Sequence, residues 1–327
     1  MLLGLETFSY HLAFAYGAMD VFGFIRRAAE LGLDGVQINM EGERWGHLGS
    51  SEPGFLKEVR QCIEQHGLYV ELDTCGTDPA HLTEAVGICR ALGADRLRTY
   101  SSLGGDVRRE LARARRDFSS VMALCEETRV QIAFENHEFE SSADILGVIA
   151  HVNNPCLGAH IDNGNAMMVW EDPLQATAAM ASAAVSTHFK DHQLIRVGRD
   201  VMIAGVPLGR GGIDLKGCYR ILKEKSPLDR LNIEVCYGYL APFRVPQAQG
   251  CGAALGKGCF QVAEPPYAPE IIAPFLLDNI TDQASLRSFA WQDLAASARK
   301  RPDKAHLMAL QDKAVVDSVA YVRQLEE

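Results

Sequence analysis

Eight short runs rich in Val, Ile, Leu and aromatic residues recur along the 327-residue chain, and segments of helical periodicity separate them. Strands that alternate with helices are typical of α/β proteins with a parallel sheet, and eight such repeats are the number that closes a barrel. The sequence therefore predicts an α/β fold of the (β/α)8 TIM-barrel type. The predicted strands are residues 2–9, 35–40, 69–74, 96–101, 131–137, 157–163, 185–191 and 231–237.

The segments between these runs carry apolar residues three and four positions apart, which is the spacing of an amphipathic helix. Residues 20–31 show it, and Gly32 offers the left-handed conformation that ends a helix. The same periodicity predicts helices at 54–67, 78–92, 107–127 and 214–224, and the last two helices are expected within 283–325.

The chain is longer than the roughly 250 residues of a typical barrel of this kind, so long loops are expected on one barrel domain over residues 1–327. Two insertions break the repeat: 192–213 after the seventh strand, and the Gly/Pro-rich 238–282 after the eighth. Both βα loops emerge at the C-terminal face and show no evident secondary structure. The second is predicted to be a lid or an arm to a neighbouring subunit, with a passive surface insertion as the alternative.

The amino-acid composition limits the kinds of molecule that this protein is expected to bind. Lys plus Arg number 32 against 42 Asp plus Glu, a formal charge of −10, which opposes the basic surface that nucleic-acid binding needs. The first residues lack the pattern of a secretion signal, no apolar stretch is long enough to span a membrane, and nine scattered cysteines suit reduced thiols. We expect a cytoplasmic enzyme with a small-molecule sugar or sugar-acid substrate, no nucleic-acid or membrane partner, and homo-oligomerisation left open.

Three carboxylates and one imidazole stand near the C-terminal ends of four separate runs: Glu135, Asp162, His188 and Glu234. Each alone could be a salt-bridge member or a satisfied core residue. Together, three buried carboxylates would repel one another unless a cation or protons compensated. The four residues are therefore predicted to hold one divalent metal ion, with Mn²⁺, Mg²⁺ or Co²⁺ favoured by the oxygen-rich set and Zn²⁺ as an alternative.

Further polar residues at the strand ends are candidates for binding a polyhydroxylated ligand. Lys190 is predicted either to bind substrate oxygen or to form an ion pair beneath the metal, and His160, one layer deeper, is expected to be structural. Trp45, Tyr237 and Tyr239 are candidate walls for a sugar face. The predicted substrate-binding residues are His11, Asp73, Arg98, Tyr100, His137, Asn165, Lys190 and Tyr237.

Five motifs together resemble the xylose isomerase-like TIM-barrel superfamily, which includes ketose 3-epimerases and endonuclease IV. They are Phe134-Glu135-Asn136-His137, Ile161-Asp162-Asn163-Gly164-Asn165, His188-Phe189-Lys190-Asp191, Leu208-Gly209-Arg210-Gly211-Gly212-Ile213-Asp214 and Ile233-Glu234. The resemblance implies that the four ligands bind one divalent metal and that Glu135 and Glu234 act as acid/base groups. One departure is Asn165, which stands where ketose 3-epimerases and endonuclease IV have a histidine.

A narrower resemblance links the chain to a subgroup that includes 3-oxo-isoapionate decarboxylase. It is carried by segments near the N-terminus and by Leu97-Arg98-Thr99-Tyr100. The first predicted function is thus a metal-dependent sugar isomerase or epimerase that works through a metal-stabilised enediolate. The alternative is a lyase that decarboxylates a 3-oxo sugar acid such as 3-oxo-isoapionate, and a distant third is an endonuclease IV-like or non-catalytic barrel.

Overall fold

The computed structural model describes residues 1–101, 106–197, 199–264 and 304–326. Eight parallel strands form one sheet in the order β10-β1-β2-β3-β4-β5-β6-β7. The strands in chain order are β1 (Leu2–Glu6), β2 (Gly35–Asn39), β3 (Tyr69–Asp73), β4 (Arg96–Thr99), β5 (Gln131–Glu135), β6 (Leu157–Asp162), β7 (Ala184–His188), β8 (Asp191–Val197), β9 (Asp200–Val206), β10 (Arg230–Ile233) and β11 (Leu240–Ala241).

The sheet closes between β7 and β10, immediately after β7 ends. The Phe189 backbone N–H donates to the Asn232 carbonyl (2.8 Å), and the Glu234 N–H donates to the Phe189 carbonyl (3.1 Å). Each barrel strand lies within its predicted run or begins one residue before it, so the predicted barrel is confirmed. Every strand of the eight-stranded barrel is parallel to both of its neighbours, and the carboxyl ends of these eight strands meet at one mouth.

Helices surround the barrel and bury their apolar faces against it. They are α1 (His11–Ala15), α2 (Val21–Glu30), α3 (Pro53–His66), α4 (Pro79–Leu92), α5 (Val107–Thr128), α6 (Ser142–Val152), α7 (Pro173–Met180), α8 (Leu215–Lys225) and α9 (Lys304–Glu326). The five helices with predicted bounds are confirmed to within one residue. Helix α9 is one of the two expected near the C-terminus, and residues 283–303 lie outside the described residues.

Local sequence sets the helix ends. Asp78 caps α4 by accepting from the Ala80 and His81 N–H groups, Pro79 occupies its first turn, and Gly93 ends it in the left-handed conformation. Periodicity does not assign α6 and α7, because α6 is apolar on most of its surface and α7 is only eight residues long. Within the described chain, no helix combines the length and apolar character needed to cross a membrane.

The insertion after β7 is an ordered hairpin, which corrects the expectation of a loop without secondary structure. Strands β8 and β9 pair antiparallel, and β11 adds a third strand from the insertion after β10. The following turn wraps around the buried carboxylate of Asp191, which accepts from the N–H groups of Gly209 (3.0 Å), Gly211 (2.8 Å) and Ile213 (3.4 Å). A Cβ at Gly211 would lie 2.2 Å from Asp191 Oδ1, so the glycine is needed there.

The insertion after β10 packs over the barrel mouth. We call its described part, residues 238–264, the cover segment. It stacks Phe243 on Trp170 (3.7 Å between ring centroids), and the Trp170 indole donates to the Val245 carbonyl (2.9 Å). The expected role as lid or subunit arm remains a prediction, and residues 265–282 lie outside the described residues.

The opposite end of the barrel is closed by a buried ion cluster. Glu71, fully buried, lies 3.2 Å from Arg96 Nη1 and 3.5 Å from Arg230 Nε. Its Oε2 also accepts from the Asn232 amide (2.9 Å) and from the Ser186 hydroxyl. The carboxylate is therefore matched by charge and by hydrogen bonds, and it joins β3 to its neighbour β4 and, across the barrel, to β7 and β10.

We expect Glu71→Ala to lower the free energy of unfolding by about 3 kcal/mol, because it leaves two nearly buried guanidinium groups without their shared carboxylate. Urea unfolding followed by far-UV circular dichroism measures the change. The matched control is Glu64→Ala, which removes an exposed partner of Arg60 on α3 and should shift stability by about 0.5 kcal/mol or less. Equal effects of the two substitutions would contradict a structural role for the base cluster.

Candidate metal centre

The barrel topology brings the four predicted ligands together at the mouth. Glu135, Asp162 and His188 are the last residues of β5, β6 and β7, and Glu234 follows β10 directly. All four are buried, with exposed fractions of 0%, 0%, 2% and 7%. Side chains from four different strands can converge in this way because parallel strands all end on the same face.

Asparagines next to two of the ligands fix the spacing between strands. The Asn136 amide donates to the Asp162 carbonyl (2.8 Å) and accepts from the Asp162 N–H (3.0 Å). Asn163 makes the same pair of bonds with the backbone of Lys190, at 2.9 Å each. Each amide continues the sheet ladder by one step beyond the last strand pair, so the Glu-Asn and Asp-Asn dipeptides hold successive ligands in register.

His188 Nδ1 lies at the centre of the cluster. It is 3.2 Å from Glu234 Oε2, 3.5 Å from Glu135 Oε1 and 3.7 Å from Asp162 Oδ2. The other ring nitrogen, Nε2, lies 3.3 Å from Asp73 Oδ2. Asp73 is thus placed to orient the imidazole, as carboxylates commonly do for metal-binding histidines.

The donor atoms fit a divalent ion. Neither ring nitrogen of His188 makes a hydrogen bond within the described residues, although carboxylates surround both. Asp162 divides its carboxylate: Oδ1 accepts from the N–H groups of Gly164 (2.9 Å) and Asn165 (2.8 Å), while Oδ2 faces the cluster. Potential ligand atoms of Asp162, His188 and Glu234 lie within 4.8 Å of one another. Three carboxylates with one imidazole suit Mn²⁺, Mg²⁺, Co²⁺ or Zn²⁺.

Burial and neighbouring charges move the ligand pKa values in opposite directions. Burial raises the pKa of Glu135 to about 7, although Arg98 and His188 act against it. Burial would also raise the pKa of Glu234, but Lys190 and His188 hold it well below its usual value. The pKa of Asp162 is also held below its usual value, because the positive charge of Lys190 outweighs the effect of burial. The cluster therefore keeps two of its carboxylates ionised only because cations stand beside them.

A second network lines the wall next to Glu135. Arg98 Nη2 lies 2.5 Å from Glu135 Oε2, and its Nη1 donates to Glu41 Oε1 (2.6 Å). The Tyr100 hydroxyl donates to Glu41 Oε2 (2.7 Å), and its ring stacks on His137 at 3.8 Å. Burial, with Arg98 and Lys190 nearby, lowers the pKa of His137 well below its usual value. The uncharged ring offers one donor and one acceptor for ligand hydroxyls.

A cavity of about 230 Å³ opens above the cluster. Seven of the predicted site residues line it: Arg98, Tyr100, His137, Asn165, His188, Lys190 and Glu234. Glu135, Asp162 and Asp73 lie behind this surface and are fully buried. Of the two predicted acid/base residues, Glu234 is therefore the one that faces the cavity directly.

Three predicted substrate-binding residues do not line the cavity: Asp73, which lies behind its surface, Tyr237 and His11. Tyr237 is fully buried in the core, because the chain turns after β10 and directs Tyr239 towards the cavity in its place. His11 Nε2 donates to the Tyr237 carbonyl (2.7 Å), and its ring stacks on Phe8, so it supports the cavity wall from behind. Trp45 stacks on His81 and also stays outside the cavity.

Three acidic residues in the cavity wall, Glu6, Glu41 and Glu138, were not among the predicted site residues. Glu6 is the last residue of β1, and Glu41 stands two positions after β2. The strand-end rule that selects the four ligands would also have found these two. The contacts of Glu138 depend on tertiary structure alone. Glu138 accepts from the Tyr239 hydroxyl and from Arg244 Nε (2.8 Å), and these bonds join the cover segment to the loop after β5.

His160 lies one layer below the predicted metal ligands, and with Glu135 and His188 it forms a second group of side chains that could hold a metal ion. Its expected structural role stays a prediction. His160 is fully buried, its ring meets that of His188 edge to face at 4.2 Å, and its Nε2 is 3.9 Å from Glu135 Oε1. Burial and the neighbouring His188 lower the pKa of His160 well below its usual value. Asn165, where the resemblance implies a histidine, instead points its amide at Glu135 Oε1 (3.4 Å) and lines the cavity.

The model of the xylose isomerase-like TIM barrel matches residues 25–239. The chain belongs to this family. Within the xylose isomerase-like family, it is 25% identical over 257 residues to 3-oxo-isoapionate decarboxylase of Pectobacterium atrosepticum, a match that covers 77% of this chain and 90% of that protein. The resemblance drawn from the sequence motifs is thereby confirmed.

Solved structures share the fold at low identity. L-ribulose 3-epimerase superimposes with a TM-score of 0.59 at 13% identity, over 99% of this chain and 94% of that one. IOLI protein with a binding zinc atom gives a TM-score of 0.59 at 14% identity, over 72% and 89% of the two chains. At these identities the likeness establishes the common barrel and nothing finer.

We predict that the protein binds about one divalent ion per chain, because the four ligands form a single cluster. Glu234→Gln and His188→Ala should each lower the metal affinity at least about tenfold, since each removes one of four donors. Mass spectrometry of metal content after Mn²⁺ loading and desalting measures this. His151→Ala, an exposed histidine on α6, is the control. Full metal content in both ligand variants would refute the assignment.

Proposed function

We propose that this protein is a divalent-metal-dependent sugar isomerase or epimerase acting on a small polyhydroxylated carbonyl compound. The observation that carries the proposal is the convergence of three carboxylates, Glu135, Asp162 and Glu234, on His188 beneath a cavity lined by hydrogen-bonding side chains. The cavity suits a small ligand with several hydroxyl groups better than an extended polymer. The epimerases among the solved structures of the same fold are consistent with this class.

Glu135, Asp162, His188 and Glu234 would hold the metal. When bound, a divalent ion supplies a Lewis acid that stabilises negative charge on adjacent carbonyl and hydroxyl oxygens. Asp73 would keep the His188 ring in place from the opposite side, at 3.3 Å. The buried walls would keep bulk water away from the reacting carbons, which strengthens electrostatic stabilisation at the site.

The chemistry proposed for the chain's own residues is proton transfer at the carbon next to the carbonyl. Glu234 faces the cavity and would remove that proton, which leaves an enediolate. Glu135, which approaches the same His188 nitrogen from behind the cavity surface, would be the second acid/base group. Arg98 holds Glu135 Oε2 at 2.5 Å, so Oε1 is the oxygen directed towards the cluster.

Substrate hydroxyls would be held by the remaining lining residues. His137 and Asn165 offer neutral donors and acceptors, and Tyr100 and Tyr239 add aromatic walls. Glu41 would position Arg98 and Tyr100, since it accepts from both. Neutral donor and acceptor pairs of this kind fit sugar hydroxyls, which both give and accept hydrogen bonds.

Decarboxylation of a 3-oxo sugar acid is the second candidate function. It is favoured by the similarity to 3-oxo-isoapionate decarboxylase, which extends over 90% of that protein. Loss of CO₂ from a 3-oxo acid leaves the electron pair of the broken bond on the neighbouring carbon as the same type of enediolate. A site residue then delivers a proton to that carbon, so both reactions need the same stabilisation and one acid.

We expect turnover in D₂O to separate these reactions. The Mn²⁺-loaded protein is incubated with a panel of ketoses and 3-oxo sugar acids, and NMR and CO₂ release are followed. Isomerisation or epimerisation should place deuterium on the carbon next to the carbonyl. Decarboxylation should release CO₂ and place deuterium on the carbon that lost it.

Glu234→Gln should reduce turnover of the active substrate by about 10² to 10⁴, the usual contribution of a general acid/base group. Because Gln also removes a metal ligand, turnover is compared at saturating Mn²⁺. The control is again His151→Ala. A substrate converted without any solvent-derived hydrogen would indicate direct hydride transfer, and the two glutamates would then be metal ligands only.

A further inference from the structure

Lys190 occupies the carboxylate oxygens that a metal ion would need. Its ammonium lies 2.7 Å from Asp162 Oδ2 and also contacts Glu234 Oε2. These are the same two oxygens that face His188 Nδ1 at 3.7 Å and 3.2 Å. An ammonium group and a divalent ion would therefore compete for one pair of atoms.

The backbone of Lys190 is fixed, whereas its terminal group has space. Asn163 holds the Lys190 N–H and carbonyl at 2.9 Å each. The aliphatic stem lies against Gly164, where an added Cβ would come within 2.6 Å of Lys190 Cγ. Beyond the stem, the side chain lines the cavity beside Asn165 and Tyr239. The ammonium can thus leave the carboxylates for the cavity without any change in the barrel.

Electrostatics favours a divalent ion over the Lys190 ammonium beside these carboxylates. Two positive charges a few ångströms apart in a buried site repel each other strongly, and a divalent ion gains about twice the attraction of an ammonium from the same carboxylates. We propose that Lys190 is a displaceable counter-ion: it holds Asp162 and Glu234 before metal binding, and it then turns into the cavity to bind an anionic group of the substrate.

The second half of this inference rests on the proposed function and names a substrate class. Two Lys or Arg side chains line the described cavity, Arg98 and Lys190. Arg98 is already held by Glu41 (2.6 Å) and Glu135 (2.5 Å). Lys190 is the one whose partners would be taken by the metal. Its ammonium offers three donors, which suits a carboxylate, and the substrate would therefore be a sugar acid.

Calorimetric titration of the metal-stripped protein with Mn²⁺ tests the first half. Lys190→Met keeps the length of the stem and removes the charge, and Lys190→Gln is a second variant that keeps a polar end. Both should bind Mn²⁺ about tenfold or more tightly than the wild type, because no cation has to be displaced or repelled. Lys57→Met, an exposed lysine on α3, should leave the affinity unchanged.

Unchanged or weaker Mn²⁺ binding by both Lys190 variants would overturn the inference, since it would mean that the ammonium stays with the ligands and supports them. That result is distinct from failure of the proposed function. If the wild-type protein itself bound no Mn²⁺, the metal centre would be refuted and the inference with it.

Competition between two matched ligands tests the second half. Binding of erythronate, a four-carbon sugar acid, is compared with that of neutral erythritol on the Mn²⁺-loaded wild type and on Lys190→Met. We expect the wild type to prefer erythronate, and we expect this preference to fall at least about tenfold in the variant. An identical preference for erythronate in the wild type and in the variant would show that Lys190 does not bind the carboxylate of the ligand.

Discussion

The structure of the barrel mouth depends on one constraint: several carboxylates are buried within a few ångströms of one another. Glu135, Asp162 and Glu234 surround His188 Nδ1 at 3.2 to 3.7 Å, and all three are buried. Such a cluster is costly unless cations match it. Lys190 supplies one of these charges, and a divalent ion would supply more. The positions of the neighbouring asparagines and glycine follow from the need to hold these groups in a fixed arrangement.

Buried charge is fully matched by partners at the base of the barrel and only partly matched at its mouth. At the base, Glu71 is matched by two arginines and by hydroxyl and amide donors, so the cluster stabilises the fold and leaves no group to react. At the mouth, both ring nitrogens of His188 lack hydrogen bonds among the described residues. Incomplete matching at the mouth would allow a metal, and then a substrate, to bind there. This division between a stabilising base and a reactive mouth is general for barrels of this kind.

The insertions complete the mouth from above. Strands β8, β9 and β11 form a small sheet, and the cover segment stacks Phe243 on Trp170 in the turn that follows Asp162. Glu138 joins this segment to the loop after β5 through Tyr239 and Arg244. A ligand in the cavity would thus touch both the strand ends and the cover. In the proposed function, the strand ends would set the chemistry, and residues such as Tyr239 would help to select the shape of the ligand.

Local sequence patterns predicted the barrel, five of its helices to within one residue and the convergence of four candidate ligands, because strand and helix periods are local and parallel strands end on one face. The same rule would have located Glu6 and Glu41. Other features are visible in the tertiary structure alone. Tyr239 lines the cavity and Tyr237 does not, and residues 191–206 form a hairpin. The tertiary structure also decided that Lys190 reaches two ligands at once. These contacts join residues far apart in the chain, and their geometry depends on packing that no local pattern encodes.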